Sequence, residues 1–333
     1  MKICVLGAGS WGITLAYYLK NINYQVKIWS RSTTKSKSLN KNKTFNLLHS
    51  KVILQTDVKV MSDIKQSLED AELVILAVPS HALRNTLILS KDYWPKKAVA
   101  LSAVKGLEME THLRMSEIFN QIMPNHEFSV ISGPSHAEEL AKNIPTALVV
   151  ASKHLKLAKF IQKKLSSNVL RLYTSSDLIG VELGGAFKNV IAIAAGILDG
   201  MRYGDNTKAA LITRGLYEMT NLGISLGAQS HTFSGLAGMG DLIVTCISRF
   251  SRNRLLGEKI ASGITVNQAL SQMSAVAEGV KTSQSTWLFS KEKHVETPIM
   301  NEVYSVLYKK KTIQNAVKDL LSRSLKPENR RLK

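Results

Sequence analysis

The sequence predicts an α/β protein in two parts: a doubly wound parallel sheet over residues 1–175, then an all-α domain over residues 176–333. Three observations carry this. Short runs rich in Val, Ile and Ala alternate with polar helical stretches through the first half. A glycine motif stands between the first such run and the first helical stretch. Beyond about residue 175 strand signals vanish and helical spacing takes over. A length of 333 residues agrees with two parts, at about 150 residues per domain.

The runs fall at residues 2–6, 25–29, 73–78, 99–103, 129–131 and 147–151. They are nearly continuous in apolar character, as strands covered on both faces must be. Strand, helix, strand repeated in this way implies right-handed crossovers. Residues 177–198, 208–222, 266–270 and 298–307 carry helical periodicity, and Thr174-Ser175-Ser176-Asp177 is a helix-start cluster that sets the boundary. The apolar stretch that follows Met1-Lys2 is interrupted by Gly7, Gly9 and Gly12, so it reads as a strand and a helix rather than a secretion signal. The longest apolar run elsewhere, residues 190–198, has nine residues, short of the roughly 20 that span a bilayer. No integral membrane segment is expected. Cys4 and Cys246 are the only two cysteines, too few for a disulfide framework, which points to a reducing cytoplasm.

Lys and Arg number 44 against 25 Asp and Glu, a formal net charge of +19. Such a surplus suits anionic partners without choosing among them. Residues 31–51 carry six basic side chains and no acid, and residues 309–333 carry nine against two. Neither segment interleaves aromatics for base stacking, so these are read as solvated faces rather than a nucleic-acid surface.

Gly7-Ala8-Gly9-Ser10-Trp11-Gly12 is a G-x-G-x-x-G that follows a strand and opens a helix, the context a Rossmann-like dinucleotide site requires. Gly7 permits the turn, Gly9 admits a pyrophosphate, Gly12 lets helix and strand pack, and the helix N-terminus faces the phosphates. An NAD-preferring site places a carboxylate at the end of the second strand to hold the ribose 2′-hydroxyl. Here that strand ends Ile28-Trp29-Ser30-Arg31, and Arg31 suits a 2′-phosphate. NADP(H) is therefore expected over NAD(H), with NAD(H) still usable.

Three further motifs lie at the C-terminal ends of predicted strands, where doubly wound sheets bind ligands: Ala77-Val78-Pro79-Ser80-His81, Ser102-Ala103-Val104-Lys105-Gly106, and Ser132-Gly133-Pro134-Ser135-His136. In the second half, Glu182-Leu183-Gly184-Gly185-Ala186-Phe187-Lys188-Asn189 puts two adjacent glycines in a helix, each costing about 1 kcal/mol against Ala. A helix tolerates that where a ligand or another backbone approaches. Lys188, at the edge of the buried run that follows, is the candidate general acid. Asp241 supplies a carboxylate that could orient it. Arg252, flanked by Ser251 and Asn253, suits a phosphate. His49, His81, His136 and His231 lack paired ligand spacing, and no metal site is read.

Taken together the motifs resemble the bacterial-type NAD(P)H-dependent glycerol-3-phosphate dehydrogenase family nearly end to end. The match includes Gly204-Asp205-Asn206-Thr207-Lys208-Ala209-Ala210-Leu211 and Gly235-Leu236-Ala237-Gly238-Met239-Gly240-Asp241. The resemblance implies reversible reduction of dihydroxyacetone phosphate to sn-glycerol 3-phosphate, supplying glycerophospholipid synthesis, by a homodimer. It implies Lys188 as catalytic acid/base, with Lys105, Gly133, Ser135, Asp241, Ser251, Arg252 and Asn253 around the substrate. It implies cofactor contacts from Ser10, Trp11, Arg31, Lys105, Ala137 and Arg252, and from Val276 and Glu278 in the second domain. Val104 and His136 depart from the family pattern, standing where a small polar residue and an aromatic are expected. The nearest alternative, a 3-hydroxyacid or ketopantoate-type dehydrogenase, would need a carboxylate-binding pocket; Lys105 and Ser251-Arg252-Asn253 suit a phosphate at least as well.

Overall fold

The computed structural model describes all residues except 49, 274–275, 326 and 329–333. Ten strands form along the first half: β1 (Lys2–Leu6), β2 (Gln25–Trp29), β3 (Thr44–Leu47), β4 (Ser50–Ile53), β5 (Lys59–Met61), β6 (Leu73–Leu76), β7 (Val99–Ser102), β8 (Phe128–Ser132), β9 (Thr146–Ala151) and β10 (Leu170–Ser175). Eight of them make one sheet in the order β10-β9-β8-β7-β6-β1-β2-β5, and β3 pairs with β4 in a separate hairpin. The reversal of strand order beside β1 is the crevice of a doubly wound fold.

Side-chain alternation fills both faces of this sheet. Ile3 and Val5 of β1 join Ile28, Ile75 and Leu101 on one face, under the helices Ser10–Asn21 and Leu155–Leu165. Cys4 and Leu6 join Val74, Leu76 and Ala100 on the other, under Leu83–Ser90 and Met115–Ile122. Burial on both sides explains the continuous apolar runs.

The sheet is not parallel throughout. β9 pairs antiparallel with β8, and β10 runs parallel to β9, so the last two strands oppose the other six. The link from β8 to β9, residues 133–145, holds only the four-residue helix Ala137–Leu140, about 6 Å long, in place of the long crossover helix that usually joins parallel strands. β5 and β10 carried no clear sequence signal. The first has three residues, and the second alternates buried and exposed positions as an edge strand does.

The last strand ends at Ser175 and the long helix Leu178–Gly200 follows, its N-terminus capped by Asp177, whose Oδ1 accepts from Gly180 N at 2.9 Å. This helix has 23 residues and the length and apolarity to cross a membrane, yet nearly all of it is buried inside the protein. It is the axis of the helical half, with Phe187, Val190, Ile191 and Ile193 fully enclosed by neighbouring helices. Asp205–Ser225, Arg252–Ala261, Glu278–Glu292 and Pro298–Tyr308 surround it.

Helix Arg252–Ala261 approaches the axis at glycines on both partners. A Cβ on Gly196 would run into the Arg254 carbonyl oxygen, and one on Gly257 into that of Ile193. Backbone cannot yield as a flexible side chain can. Gly196→Ala gains about 1 kcal/mol of helix propensity but forces the two helices apart, at about 1–3 kcal/mol or more. The net loss is about 0–2 kcal/mol or more, so we expect a lower urea midpoint with an unchanged slope; a raised midpoint would contradict the packing.

Candidate active site

The nucleotide cradle forms where β1 turns into helix Ser10–Asn21. Gly7 has φ +127°, and its N–H donates to the Trp29 carbonyl at 3.0 Å. A Cβ there would lie 2.6 Å from the Ala77 carbonyl carbon, and a Cβ on Gly12 would strike the Gly7 carbonyl. Both glycines are therefore demanded by the turn itself. Gly9 differs, because a Cβ there would meet nothing within 4 Å. Gly9 and Ser10 are exposed, Trp11 is half-buried, and the helix begins without a side-chain cap. Unpaired first-turn amides above open space fit a dinucleotide pyrophosphate. Arg31 stands just past β2, exposed and, among the described residues, without a hydrogen bond or ion pair.

At the far side of the crevice a cluster joins three strand ends to the helical half. Lys105 extends from the loop after β7. Its Nζ donates to Gly133 O at 2.7 Å, Ser135 Oγ at 2.9 Å and Asp241 Oδ2 at 2.6 Å. Gly133 holds φ +130°, which turns its carbonyl into the cluster after β8. Lys188 reaches the same carboxylate from the axial helix, donating to Asp241 Oδ1 at 2.6 Å and to Thr245 Oγ1 at 2.7 Å. Asp241 is 1% exposed and Lys188 7%. One buried carboxylate thus bridges a buried ammonium group, that of Lys188, and a half-buried one, that of Lys105.

The adjacent glycines make this convergence possible. A Cβ on Gly184 would come 2.6 Å from the Ala237 carbonyl oxygen, just before the helix that carries Asp241. One on Gly185 would come 2.7 Å from Ser132 Oγ and 3.5 Å from Lys105 Cγ. Burial pushes the Asp241 carboxyl up, but Lys105 and Lys188 beside it outweigh that and hold it below the usual range. Burial pushes Lys105 down to about 8, against the upward pull of Asp241.

Ser251, Arg252 and Asn253 occupy the start of their helix in different states. Ser251 is the N-cap and accepts from Arg254 N at 3.2 Å. Asn253 is buried, donating to Asn189 Oδ1 at 2.8 Å and accepting from Gly279 N at 2.9 Å. Arg252 is exposed and, among the described residues, forms no hydrogen bond or ion pair, so its guanidinium is open to an anion.

Ala137 is buried at the start of helix Ala137–Leu140, and Val276 is 38% exposed. Glu278 directs its carboxylate at the loop after β6, accepting from Ser80 N at 3.1 Å and Ser80 Oγ at 2.6 Å. The two positions that depart from the family pattern lie close by. Val104 is buried in the core on the sheet face shared with Cys4 and Leu6, and His136 meets Phe250 edge-on at 5.7 Å. Burial, then the Lys188 charge, pushes His136 down to about 4, so it is neutral at pH 7.

Sequence reasoning missed two members. Thr245 lies four residues after Asp241 on one helix, a spacing that could have revealed it. Asn189 adjoins Lys188 but drew notice only as part of its motif. Among the described residues no group of three or more His, Cys, Asp or Glu could hold a metal ion; His49 lies outside them.

Comparison with known proteins agrees along the whole chain. Residues 2–158 match the family described as NAD-dependent glycerol-3-phosphate dehydrogenase N-terminus, and residues 177–318 match its C-terminus. A glycerol-3-phosphate dehydrogenase [NAD(P)+] of Citrifermentans bemidjiense is 43% identical over 330 residues, covering 98% of each chain. That of Chlorobium phaeobacteroides is 43% identical over 333 residues, covering 99% of this chain and all of its own. The crystal structure of glycerol-3-phosphate dehydrogenase from Coxiella burnetii superposes with a TM-score of 0.92 at 34% identity, over 97% of this chain and 99% of that one. With a nucleotide cradle, a bridged lysine pair and this likeness over both halves, the chain belongs to the NAD-dependent glycerol-3-phosphate dehydrogenases and is a nicotinamide-dependent oxidoreductase acting on a CH–OH group.

Proposed function

We propose that this chain interconverts dihydroxyacetone phosphate and sn-glycerol 3-phosphate with NADP(H) preferred over NAD(H), using Lys188 as the proton donor and acceptor. The observation that carries this reading is the carboxylate of Asp241 shared between Lys188 and Lys105 at the C-terminal edge of the sheet. Ser10, Trp11 and the glycines Gly7, Gly9 and Gly12 would hold the dinucleotide, with Arg31 on its 2′-phosphate. Ala137, Val276 and Glu278 would border it. When bound, the reduced nicotinamide supplies a hydride.

The chain's own contribution is a proton and fixed charge. An ammonium has three N–H donors, and Lys188 gives two of them to Asp241 and Thr245. The third is left for the ketone oxygen, which gains negative charge as its carbon is reduced. Lys188 gives up that proton and recovers one from solvent; in the reverse direction it removes the hydroxyl proton. Asp241 fixes the Nζ position and balances the Lys188 and Lys105 charges. Lys105 has all three donors engaged, so it supplies a fixed positive charge and anchors Gly133 and Ser135. Arg252, with free donors, would take the phosphate in bidentate fashion. Ser251 and Asn253 would hold its helix in place and border the substrate.

The same reading puts the product at the entry to glycerophospholipid synthesis and the enzyme in the cytoplasm as a homodimer, with its domain boundary between residues 175 and 176. The two free, buried cysteines support a reducing compartment.

The test is NADPH oxidation with dihydroxyacetone phosphate, repeated with NADH and with unphosphorylated ketones. We expect turnover that requires the phosphate and a higher kcat/KM with NADPH. Preference for NADH would sink the role of Arg31. Lys188→Ala should lower kcat by about 10²–10⁴-fold while NADPH binding survives; retained turnover contradicts the assignment. A pH series adds an independent check. Raising the pH through about 8 strips the proton from Lys105 in the free enzyme, weakening attraction for the anionic substrate. The kcat/KM for dihydroxyacetone phosphate should therefore fall above that pH, and a profile flat well into the alkaline range would contradict it.

A further inference from the structure

The hydrogen bonds from Ser80 to Glu278 join the two halves of the chain at a place the proposed proton transfer does not use. Ser80 follows Ala77-Val78-Pro79, and the Ala77 backbone is the surface against which Gly7 of the nucleotide cradle packs. Ser80 is 1% exposed, and its hydroxyl and amide hold the two oxygens of Glu278. Glu278 is the first residue of helix Glu278–Glu292, where the helix dipole favours a carboxylate. Room for the pair is made by Gly106, where a Cβ would come 2.9 Å from Ser80 Cβ and 3.1 Å from Glu278 Oε2.

From Glu278 a continuous set of contacts leads to the substrate cluster. Gly279 N–H donates to Asn253 Oδ1, and Asn253 Nδ2 donates to Asn189 Oδ1. A Cβ on Gly279 would lie 2.8 Å from the Asn189 carbonyl carbon, so the start of this helix sits directly on the axial helix. Asn253 adjoins Arg252, and Asn189 adjoins Lys188.

We propose that Ser80 is a positioning residue: by holding Glu278 it docks the N-terminus of helix Glu278–Glu292 on the loop after β6, and through Gly279 and Asn253 it sets Arg252 and Lys188 for the substrate. The proposal rests on the roles given above to those two residues. It also gives Glu278 a task besides bordering the dinucleotide, since both carboxylate oxygens engage Ser80. The loop that touches the cofactor cradle and the helix start that steadies the substrate residues are thereby one mechanical unit.

The test compares the full-length wild type with Ser80→Ala, Glu278→Gln and the double variant. Ser80→Ala removes one charge-assisted hydrogen bond and should raise the KM for dihydroxyacetone phosphate about tenfold, while the Kd for NADPH, read by fluorescence, stays within about twofold. Amides of residues 278–283 should exchange with deuterium faster in this variant. Glu278→Gln, which keeps shape and serves if Ser80→Ala does not fold, should act similarly on KM, and the double variant should be no worse than the worse single one. An unchanged KM with unchanged exchange overturns the proposal, as do effects that multiply in the double variant. Absent turnover in the wild type would instead defeat the activity reading; exchange in the Ser80→Ala variant would then decide the docking contact alone.

Discussion

The structure depends on one electrostatic constraint: two ammonium groups and one carboxylate must be taken out of water together. Lys105, Lys188 and Asp241 come from a sheet loop, the axial helix and a short helix after a tight turn. Burying any one alone would be costly, and removing a partner would strand a charge. Asp241 satisfies both lysines through separate oxygens, so neither competes for the same lone pair. The convergence also requires backbone-close packing, which Gly184 and Gly185 permit. Helix propensity is given up there in exchange for a charged centre that holds sheet and helices in register.

Hydrogen bonds to carboxylates join the two halves at three places. Lys105 to Asp241, Ser80 to Glu278, and the Glu182 carboxylate, which accepts from Ser116 N and Arg114 Nη1, all cross between them. Each is short, and each ends on a buried or half-buried carboxylate, where a hydrogen bond to charge is stronger than one between neutral groups. The glycine turn after β1 stays open above Gly9, where a Cβ would meet nothing within 4 Å. The surplus positive charge is mostly elsewhere. The residues after Arg31 form helix Thr33–Asn42 and the β3–β4 hairpin, with Lys35 resting over Phe45 and Lys43 donating to the Val58 carbonyl. These are local surface contacts, and the site draws on only a few of the cations.

Much was legible where the physics is local. The glycine turn could be read because a positive-φ turn and a close helix–strand approach each demand glycine at fixed spacing, and Gly7 and Gly12 fill those needs. β1 and β6 were legible because strands buried on both faces are uniformly apolar. β5 and β10 were not, since a three-residue strand and an alternating edge strand carry little signal. The antiparallel turn of β9 was missed because its apolar content says nothing about direction. Only the length of the preceding helix does.

The sequence alone determined which groups were available: glycines at the strand–helix turn, Arg31 in place of a carboxylate, two candidate lysines, an aspartate and a second arginine. Tertiary structure decided how they are used. Asp241 lies 53 residues from Lys188 and 136 from Lys105, and Glu278 lies 198 from Ser80. At such separations no periodicity or spacing constrains a contact, and only packing of the core brings the partners within hydrogen-bond reach. Packing likewise left Arg252 open while enclosing Asn253 beside it, because successive residues at a helix start point in different directions.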